Sequence, residues 1–200
     1  MIRPIDIVVP VYNARELLER CLAALDRHTP VEQARILIVD DASPDPAIAP
    51  LLANWARTSP LRPRILVNAE NLGFVGSVNR GFAETESDVL LLNADTEVTP
   101  GWLAHLREAL RSDERVATVT PFSNNAEICS WPLFCQVNPV PADAEIVAAA
   151  LASAVVFSGA AWHLARGRLT PTTFTLSTPL VALTLLQYRW GDLASAHLPG

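Results

Sequence analysis

Apolar positions along the first 120 residues follow two alternating patterns, which predict strands and helices in turn. Short apolar runs such as Ile36–Val39 are typical of buried strands, whereas Arg15–Arg27 repeats apolar residues at helical spacing. Strands that alternate with helices build a largely parallel sheet that is covered on both faces. The predicted strands are Ile5–Val9, Arg35–Val39, Arg64–Val67, Asp88–Leu92 and Val116–Thr120, and the predicted helices are Arg15–Arg27, Ala47–Arg57, Gly73–Glu84 and Pro100–Arg111.

Capping residues and prolines predict the starts of two of these helices. Asp45 is a candidate N-cap for the second helix, with Pro46 in its first turn. Thr99 would cap the last helix, with Pro100 at the first helical position.

Composition limits the classes of protein that this chain can represent. Half of the 200 residues are hydrophobic, which suffices for a domain with a sizeable core. The formal net charge of −6 argues against nucleic-acid binding, because such proteins normally present a basic surface. The three cysteines form no C-x-x-C pair, which favours reduced thiols in the cytosol over a disulfide framework. The first residues contain no long apolar segment, so we expect no signal peptide.

A change of composition near residue 145 predicts two regions, 4–145 and 146–200. From residue 145 onward, Glu145 and Asp192 are the only acidic residues. Two uncharged stretches, 146–162 and 169–188, approach membrane-spanning length. A buried helix with a strand or loop is the favoured interpretation, and a membrane hairpin is the alternative.

The predicted strand ends carry residues suited to a nucleotide site. No glycine-rich loop of the G-x-G-x-x-G or G-x-x-x-x-G-K-[ST] type is present, which argues against dinucleotide and P-loop sites. Tyr12 follows the first strand and offers a ring for stacking on a nucleobase. Asp41 follows the second strand and could accept the imide N–H of uracil or thymine, although a turn role is the alternative. Asp95 follows the fourth strand, at the sheet edge where α/β proteins bind ligands.

Two glycines predict a further contact at the start of the third helix. Gly73 and Gly76 would allow a ligand to approach the backbone closely, and a helix N-terminus attracts anions such as a diphosphate. Arg80 in the same helix could pair with a phosphate, although a surface role is commoner for arginine.

Four segments, in this order and spacing, resemble family 2 glycosyltransferases of the GT-A fold. They are Ile7–Asn13 (IVVPVYN), Val39–Ser43 (VDDAS), Asn71–Phe74 (NLGF) with Asn79, and Leu91–Asp95 (LLNAD). The resemblance covers roughly residues 4–125 and looks most like the rhamnosyltransferase-like branch. It implies a Rossmann-like α/β domain with a mostly parallel central sheet, followed by an atypical C-terminal part. The implied activity is inverting transfer of a sugar from a UDP- or dTDP-linked donor to a saccharide or lipid-linked acceptor hydroxyl, in surface polysaccharide synthesis.

The resemblance also implies roles for individual residues. Pro10 and Tyr12 would frame the base, Asp41 would accept its N3–H, and Asn79 would lie near the ribose or sugar. Asp95 would be the acid of the D-x-D motif that binds Mg²⁺ or Mn²⁺, and an amide, Asn93, replaces the first acid of that motif. The residues expected around the nucleotide sugar are Pro10, Tyr12, Asn13, Asp41, Asn71, Gly73, Asn79, Asn93 and Asp95, with Asp95 as the metal ligand.

The acceptor side of the family pattern is missing from this sequence. Family members carry a later Glu-Asp pair that includes the general base, and no such pair follows here. The base is therefore unassigned, with Asp192 as a candidate and a surface role for Asp192 as the alternative. The chain is interpreted either as a transferase with a divergent tail, or as a truncated, frame-altered or degenerate protein that binds nucleotide sugar without turnover. We expect a cytoplasmic protein that transfers sugar poorly, and association with the inner face of a membrane is left open.

Overall fold

The computed structural model describes residues 3–111, 116–121, 123–125, 130, 133 and 135–139, and the backbone of 155–158. The chain divides into two compact units, Met1–Trp102 and Leu103–Gly200, and the predicted compositional boundary at 145 stays a prediction. The strands of the described residues are β1 (Ile5–Val11), β2 (Ala34–Asp40), β3 (Arg64–Val67), β4 (Val89–Leu91), β5 (Val116–Thr120) and β6 (Val155–Ser158). Their helices are α1 (Arg15–His28), α2 (Ile48–Thr58), α3 (Gly73–Ala83) and α4 (Trp102–Arg111), and a 3₁₀ turn at Val31–Gln33 precedes β2.

The first unit is built on a parallel four-stranded sheet in the order β3-β2-β1-β4. The central strand β1 pairs with β2 along its full length, and its residues Asp6–Val8 pair with β4. β3 pairs with the second half of β2. This arrangement confirms the predicted α/β class with a parallel central sheet, and it brings all four carboxyl ends to one edge.

Burial on both faces explains why β1 and β2 are continuous apolar runs. Ile7, Val8 and Val9 are fully buried in β1, as are Ile38 and Val39 in β2. The helices cover these faces with the apolar residues that repeat at helical spacing along the sequence. The buried positions of α1 are Leu18, Cys21, Leu22, Ala24 and Leu25, and those of α2 are Ile48, Leu52 and Trp55.

Gly81 allows α3 to lie very close to the sheet. A Cβ atom at this position would collide with Cγ1 of Val8 and lie 3.3 Å from Cγ2 of Val39. The absence of a side chain at Gly81 therefore determines how closely the helix backbone approaches β1 and β2.

Two predicted helix starts are wrong in detail. α2 begins at Ile48, so Ala47 and not Asp45 occupies its N-cap position. The Asp45 carboxylate accepts the Ala47 amide at 2.9 Å in the turn that leads into the helix. α4 begins at Trp102, whose amide donates to the carbonyl of Thr99 at 3.2 Å. Pro100 therefore lies in a turn and not in the helix. Turns and helix caps use the same residue types, so the sequence signal located both starts only approximately.

The sequence predicts that β5 extends the parallel sheet, and this prediction is wrong. β5 pairs in antiparallel fashion with β6, as a separate two-stranded sheet. β6 comes from the apolar stretch 146–162, and most of that stretch and all of 169–188 lie outside the described residues. Within the part of the chain that is described, no helix is long and apolar enough to cross a membrane.

A buried carboxylate ties the amino end of the sheet together. Asp6 of β1 accepts two hydrogen bonds from Arg35 of β2, at 2.6 and 2.9 Å, and further bonds from the amides of Glu86 and Ser87 at 3.0 and 3.2 Å. Burial raises the pKa of Asp6, but the hydrogen bonds from Arg35 and Glu86 outweigh burial and hold it below the ordinary value of 3.8. Asp6 therefore stabilises the fold in its ionised form.

We expect Asp6→Ala to lower the free energy of unfolding by about 1–3 kcal/mol at neutral pH, because buried amide donors lose their acceptor. The lowered pKa means that the contribution of Asp6 is complete above pH 3.8 and is lost as the pH falls through the folded-state value. Urea denaturation of both proteins between pH 7 and pH 3 measures this difference. Glu19→Ala, which removes the exposed Arg15–Glu19 pair, is the control and should change stability little. Equal stability of wild type and Asp6→Ala at pH 7 would contradict the assignment.

Candidate functional site

The strand order reverses at β1, because β2 and β3 lie on one side of it and β4 lies on the other. Open parallel sheets bind ligands outside their carboxyl ends at such a switch point. Tyr12 leaves β1 there, immediately after Val11, with 43% of its surface exposed. On the other side, the Leu92 amide donates to the Val8 carbonyl at 2.9 Å and keeps the end of β4 beside β1. The exposed ring and the polar residues after β4 therefore flank the same point of the sheet.

The loops after β1 and β2 hold strained backbone. Asn13, Ala14 and Ala42 adopt left-handed conformations with φ of 56°, 55° and 53°. Such residues cost about 1–3 kcal/mol each and occur mainly where a binding site requires them. Hydrogen bonds join the loops: the Asn13 amide donates to Ser43 Oγ at 3.0 Å, and Asn13 Oδ1 accepts the Asp45 amide at 3.1 Å. Asn13 thus joins the two loops that carry Tyr12 and Asp41.

Two consecutive acids follow β2 and have different surroundings. Asp40 accepts the backbone amide of Ser43 at 3.1 Å and closes the turn. Asp41 is buried, and its Oδ1 accepts Asn68 Nδ2 at 2.6 Å and the Leu72 amide at 2.7 Å. Both hydrogen bonds that the Asp41 side chain accepts from the described residues fall on Oδ1. Within the described residues, no group donates a hydrogen bond to the other oxygen, Oδ2.

At the start of α3, where a diphosphate contact was predicted, two backbone amides have partners within the protein. The amide of Leu72 donates to Asp41, and the amide of Gly73 donates to Asn71 Oδ1 at 2.8 Å. These backbone donors are therefore already used within the protein. Gly73 is required here for its backbone, because its φ of 72° is disfavoured for residues with a side chain.

Arg80 also has a role other than the predicted phosphate contact. Its Nη1 donates to the Val67 carbonyl at 2.7 Å and to Asn68 Oδ1. Arg80 thus holds the end of β3 and the side chain that contacts Asp41.

The segment after β4 forms a turn held by α1. The carbonyl of Asn93 accepts the Thr96 amide at 3.1 Å and the thiol of Cys21 at 3.6 Å. Asp95 lies at the exposed tip of this turn. Burial, reinforced by the negative charge of Asp95, raises the pKa of the Cys21 thiol to about 12. Cys21 is therefore a neutral hydrogen-bond donor at physiological pH.

The predicted role of Asp95 as a metal ligand stays a prediction. Among the described residues, no three His, Cys, Asp or Glu side chains lie together as a metal-binding group. A divalent cation at Asp95 would thus take its remaining oxygen ligands from a diphosphate and water. Mg²⁺ commonly binds through one or two carboxylates and substrate phosphates in this way.

The structure gathers most of the predicted residues at one edge of the sheet. Pro10, Tyr12 and Asp41 lie at the ends of β1 and β2, Asn93 and Asp95 follow β4, and Asn71 and Gly73 begin α3 next to Asp41. Asn79 is half-buried within α3. Asp192, the candidate base, lies outside the described residues.

Sequence reasoning missed two residues that hold this edge together, Asn68 and Cys21. Asn68 directly follows β3, as Asp41 follows β2, so its position at a strand end was an available signal. Cys21 lies among the apolar positions of α1, which gave no sign of its hydrogen bond to the Asn93 carbonyl.

Comparison with known proteins identifies related chains. A family model described as glycosyl transferase family 2 matches residues 6–135, which include every described residue of the candidate site. The dolichol-phosphate mannosyltransferase of Pyrococcus furiosus is 25% identical over 135 residues, 65% of this chain and 36% of that protein. The chain thus spans about a third of that relative's length.

Two solved structures share the fold. S. aureus TarS in complex with UDP-GlcNAc matches with a TM-score of 0.53 and 18% identity, covering 60% of this chain and 35% of that one. The mannosyltransferase PcManGT from Pyrobaculum calidifontis, in complex with GDP-Man and Mn²⁺, matches with a TM-score of 0.53 and 23% identity, covering 62% and 36%. At these identities the likeness concerns the α/β fold alone.

The raised pKa of Cys21 gives a test of the turn after β4. We expect iodoacetamide at pH 8 to modify the exposed Cys135 and to leave Cys21 unmodified in the native chain, because the thiolate is the reactive form. Peptide mass spectrometry after timed labelling measures both sites. In urea, Cys21 should react as fast as Cys135. Equal rates in the native protein would contradict a buried, neutral Cys21.

Proposed function

The chain belongs to glycosyl transferase family 2, and from that premise we propose that it binds a nucleoside diphosphate sugar and transfers the sugar to an acceptor hydroxyl. The observation that carries this proposal is the state of Asp41, which is fixed through Oδ1 and keeps Oδ2 for a ligand. A carboxylate accepts hydrogen bonds only, so it fits a ring nitrogen that carries a hydrogen, as in uracil, thymine and guanine, and not the lone pair at N3 of cytosine. Uracil and thymine carry this hydrogen at N3, in agreement with the UDP or dTDP donor expected from the sequence.

Tyr12 supports the same assignment. Tyr12 is exposed, and the residue before it lies beside Asp41, since the Asp41 amide donates to the carbonyl of Val11 at 2.8 Å. A base stacked on the Tyr12 ring would keep its edge for hydrogen bonding. We propose that Pro10 and Tyr12 pack around the base while Asp41 accepts a hydrogen bond from its edge.

Asp95 is proposed to bind Mg²⁺ or Mn²⁺ together with the diphosphate. Its exposed carboxylate lies beyond β4, across the switch point from Asp41. A divalent cation there would offset the charge that develops on the leaving diphosphate. PcManGT was solved with Mn²⁺ and a nucleotide sugar, which supports a divalent metal in this chain too.

The chemical step itself is proposed from the family resemblance. It would be an inverting displacement in which the acceptor hydroxyl forms a bond to the anomeric carbon and the nucleoside diphosphate leaves. A general base would take the hydroxyl proton, and Asp192 stays a candidate outside the described residues. We further propose a saccharide or lipid-linked acceptor and a role in surface polysaccharide synthesis. The alternative is a protein that binds nucleotide sugar without turnover, which the missing Glu-Asp pair favours.

We expect UDP and dTDP to bind more tightly in the presence of Mn²⁺ than in the presence of EDTA, as measured by isothermal titration calorimetry. Asp95→Asn should abolish the metal dependence, because the cation loses its protein ligand. Asp41→Ala should weaken binding with and without metal, because it removes contact with the base. Equal affinity with and without Mn²⁺ in the wild type would contradict the role of Asp95. Asp88→Asn, an exposed acid before β4, is the matched control and should bind as wild type.

Turnover separates the two alternatives. We expect slow, Mn²⁺-dependent release of UDP from UDP-sugars when acceptor saccharides are supplied. The rate should be low, because a positioned base contributes about 10²–10⁴-fold and this sequence lacks the Glu-Asp pair that would include the base. A coupled assay for UDP measures the release, with Asp95→Asn as the inactive control. Tight binding of UDP-sugar with no release would favour the binding protein.

A further inference from the structure

Asn68 lies at the centre of a buried polar network beside the proposed base site. It follows β3, only 3% of its surface is exposed, and its backbone amide donates to the Asp40 carbonyl at 2.8 Å. Its position is therefore fixed by the same β2–β3 pairing that places Asp41.

Every polar atom of the Asn68 side chain has a partner. Nδ2 donates to Asp41 Oδ1 at 2.6 Å and to Ser77 Oγ at 2.8 Å, while Oδ1 accepts a hydrogen bond from Arg80. A carboxamide offers two N–H donors on one atom and acceptor lone pairs on the other. The donors and the acceptor all match the groups that face them, so the amide has one favoured orientation.

This network connects Asp41 to a cation without pairing the two directly. Arg80 donates to Asn68 Oδ1 and to the Val67 carbonyl, and Asn68 in turn donates to Asp41. Successive hydrogen bonds polarise one another, so the guanidinium strengthens the donation from Asn68 to Asp41. A direct bidentate arginine would occupy both carboxylate oxygens, whereas this relay engages Oδ1 alone.

We propose that Asn68 is a positioning residue that sets the base preference of the site, by holding Asp41 Oδ1 so that Oδ2 faces the base as an acceptor. An N3–H of uracil or thymine donates to that oxygen. Cytosine has a lone pair at N3, which the oriented carboxylate repels. This inference rests on the proposed function, because it assumes that a nucleotide base contacts Asp41.

A purely structural role for Asn68 would have a different consequence. Loss of packing would weaken the binding of all nucleotides in parallel and lower thermal stability. Loss of orientation lets the Asp41 carboxylate turn away from the base, which changes the ratio between nucleotides. The ratio of UDP to CDP affinity therefore separates the two roles.

The test is calorimetric titration of the full chain with UDP and with CDP, in the presence of Mn²⁺. We expect the wild type to prefer UDP, and Asn68→Ala to reduce the UDP:CDP affinity ratio by roughly tenfold, the order expected when a hydrogen bond to a charged group is lost. Arg80→Gln, at a half-buried position, gives a second variant that keeps the Asn68 side chain but removes the guanidinium donor to its Oδ1, and it should reduce the ratio by a smaller factor. Asn54→Ala is the matched control, because Asn54 also accepts a hydrogen bond from an arginine, Arg57 at 2.8 Å, but on the exposed face of α2.

The outcomes separate this inference from the proposed function. Absence of UDP binding by the wild type, or equal affinity for UDP and CDP, would overturn the role of Asp41 and the inference with it. A wild-type preference for UDP that persists in folded Asn68→Ala and Arg80→Gln, as judged by circular dichroism, would overturn the inference alone. If Asn68→Ala does not fold, Arg80→Gln decides: an unchanged ratio overturns the inference and a reduced ratio supports it.

Discussion

The parallel pairing of β1 with β2 on one side and β4 on the other is the constraint on which the site depends. The strand pairing places Val11 opposite Asp40 and Val8 opposite Leu91. The residues that follow these strands are therefore held at fixed positions relative to one another. A shift by one residue would turn every side chain of a strand to the opposite face of the sheet. Because both faces of β1 are buried, the core itself enforces the arrangement of the strand ends.

Hydrogen bonding at this edge determines which groups remain for a ligand. The amides of Leu72 and Gly73, the Asn68 amide and the Arg80 guanidinium all have partners within the protein. Among the described residues, the carboxyl edge of the sheet still presents one carboxylate oxygen of Asp41, the exposed ring of Tyr12 and the exposed acid Asp95. In the proposed function these groups serve as an acceptor for a base N–H, a stacking surface and a metal ligand. The hydrogen-bonded loops after β1 and β2 hold the first two in place.

Much of the first unit could be predicted from the sequence, because β1, β2 and β3 are continuous apolar runs and α1 repeats apolar residues at helical spacing. The candidates Tyr12, Asp41 and Asp95 could be found for the same reason, since each follows a recognisable strand. Asn68 also follows a strand, so its position could be noticed, but its role could not, because that role comes from three partners that are 9, 12 and 27 residues away. The antiparallel pairing of β5 with β6 could not be predicted either, because the alternation of strands and helices does not specify which strands pair.

Gly81 connects the core of the first unit to the chemistry of its edge. Its missing side chain lets α3 rest directly on Val8 and Val39, and the same helix carries Ser77 and Arg80, which hold Asn68. The depth at which α3 lies on the sheet therefore sets the geometry of the groups around Asp41. A substitution at Gly81 would therefore alter the proposed nucleotide preference although Gly81 touches no ligand. Differences in donor preference would then arise partly at packing residues.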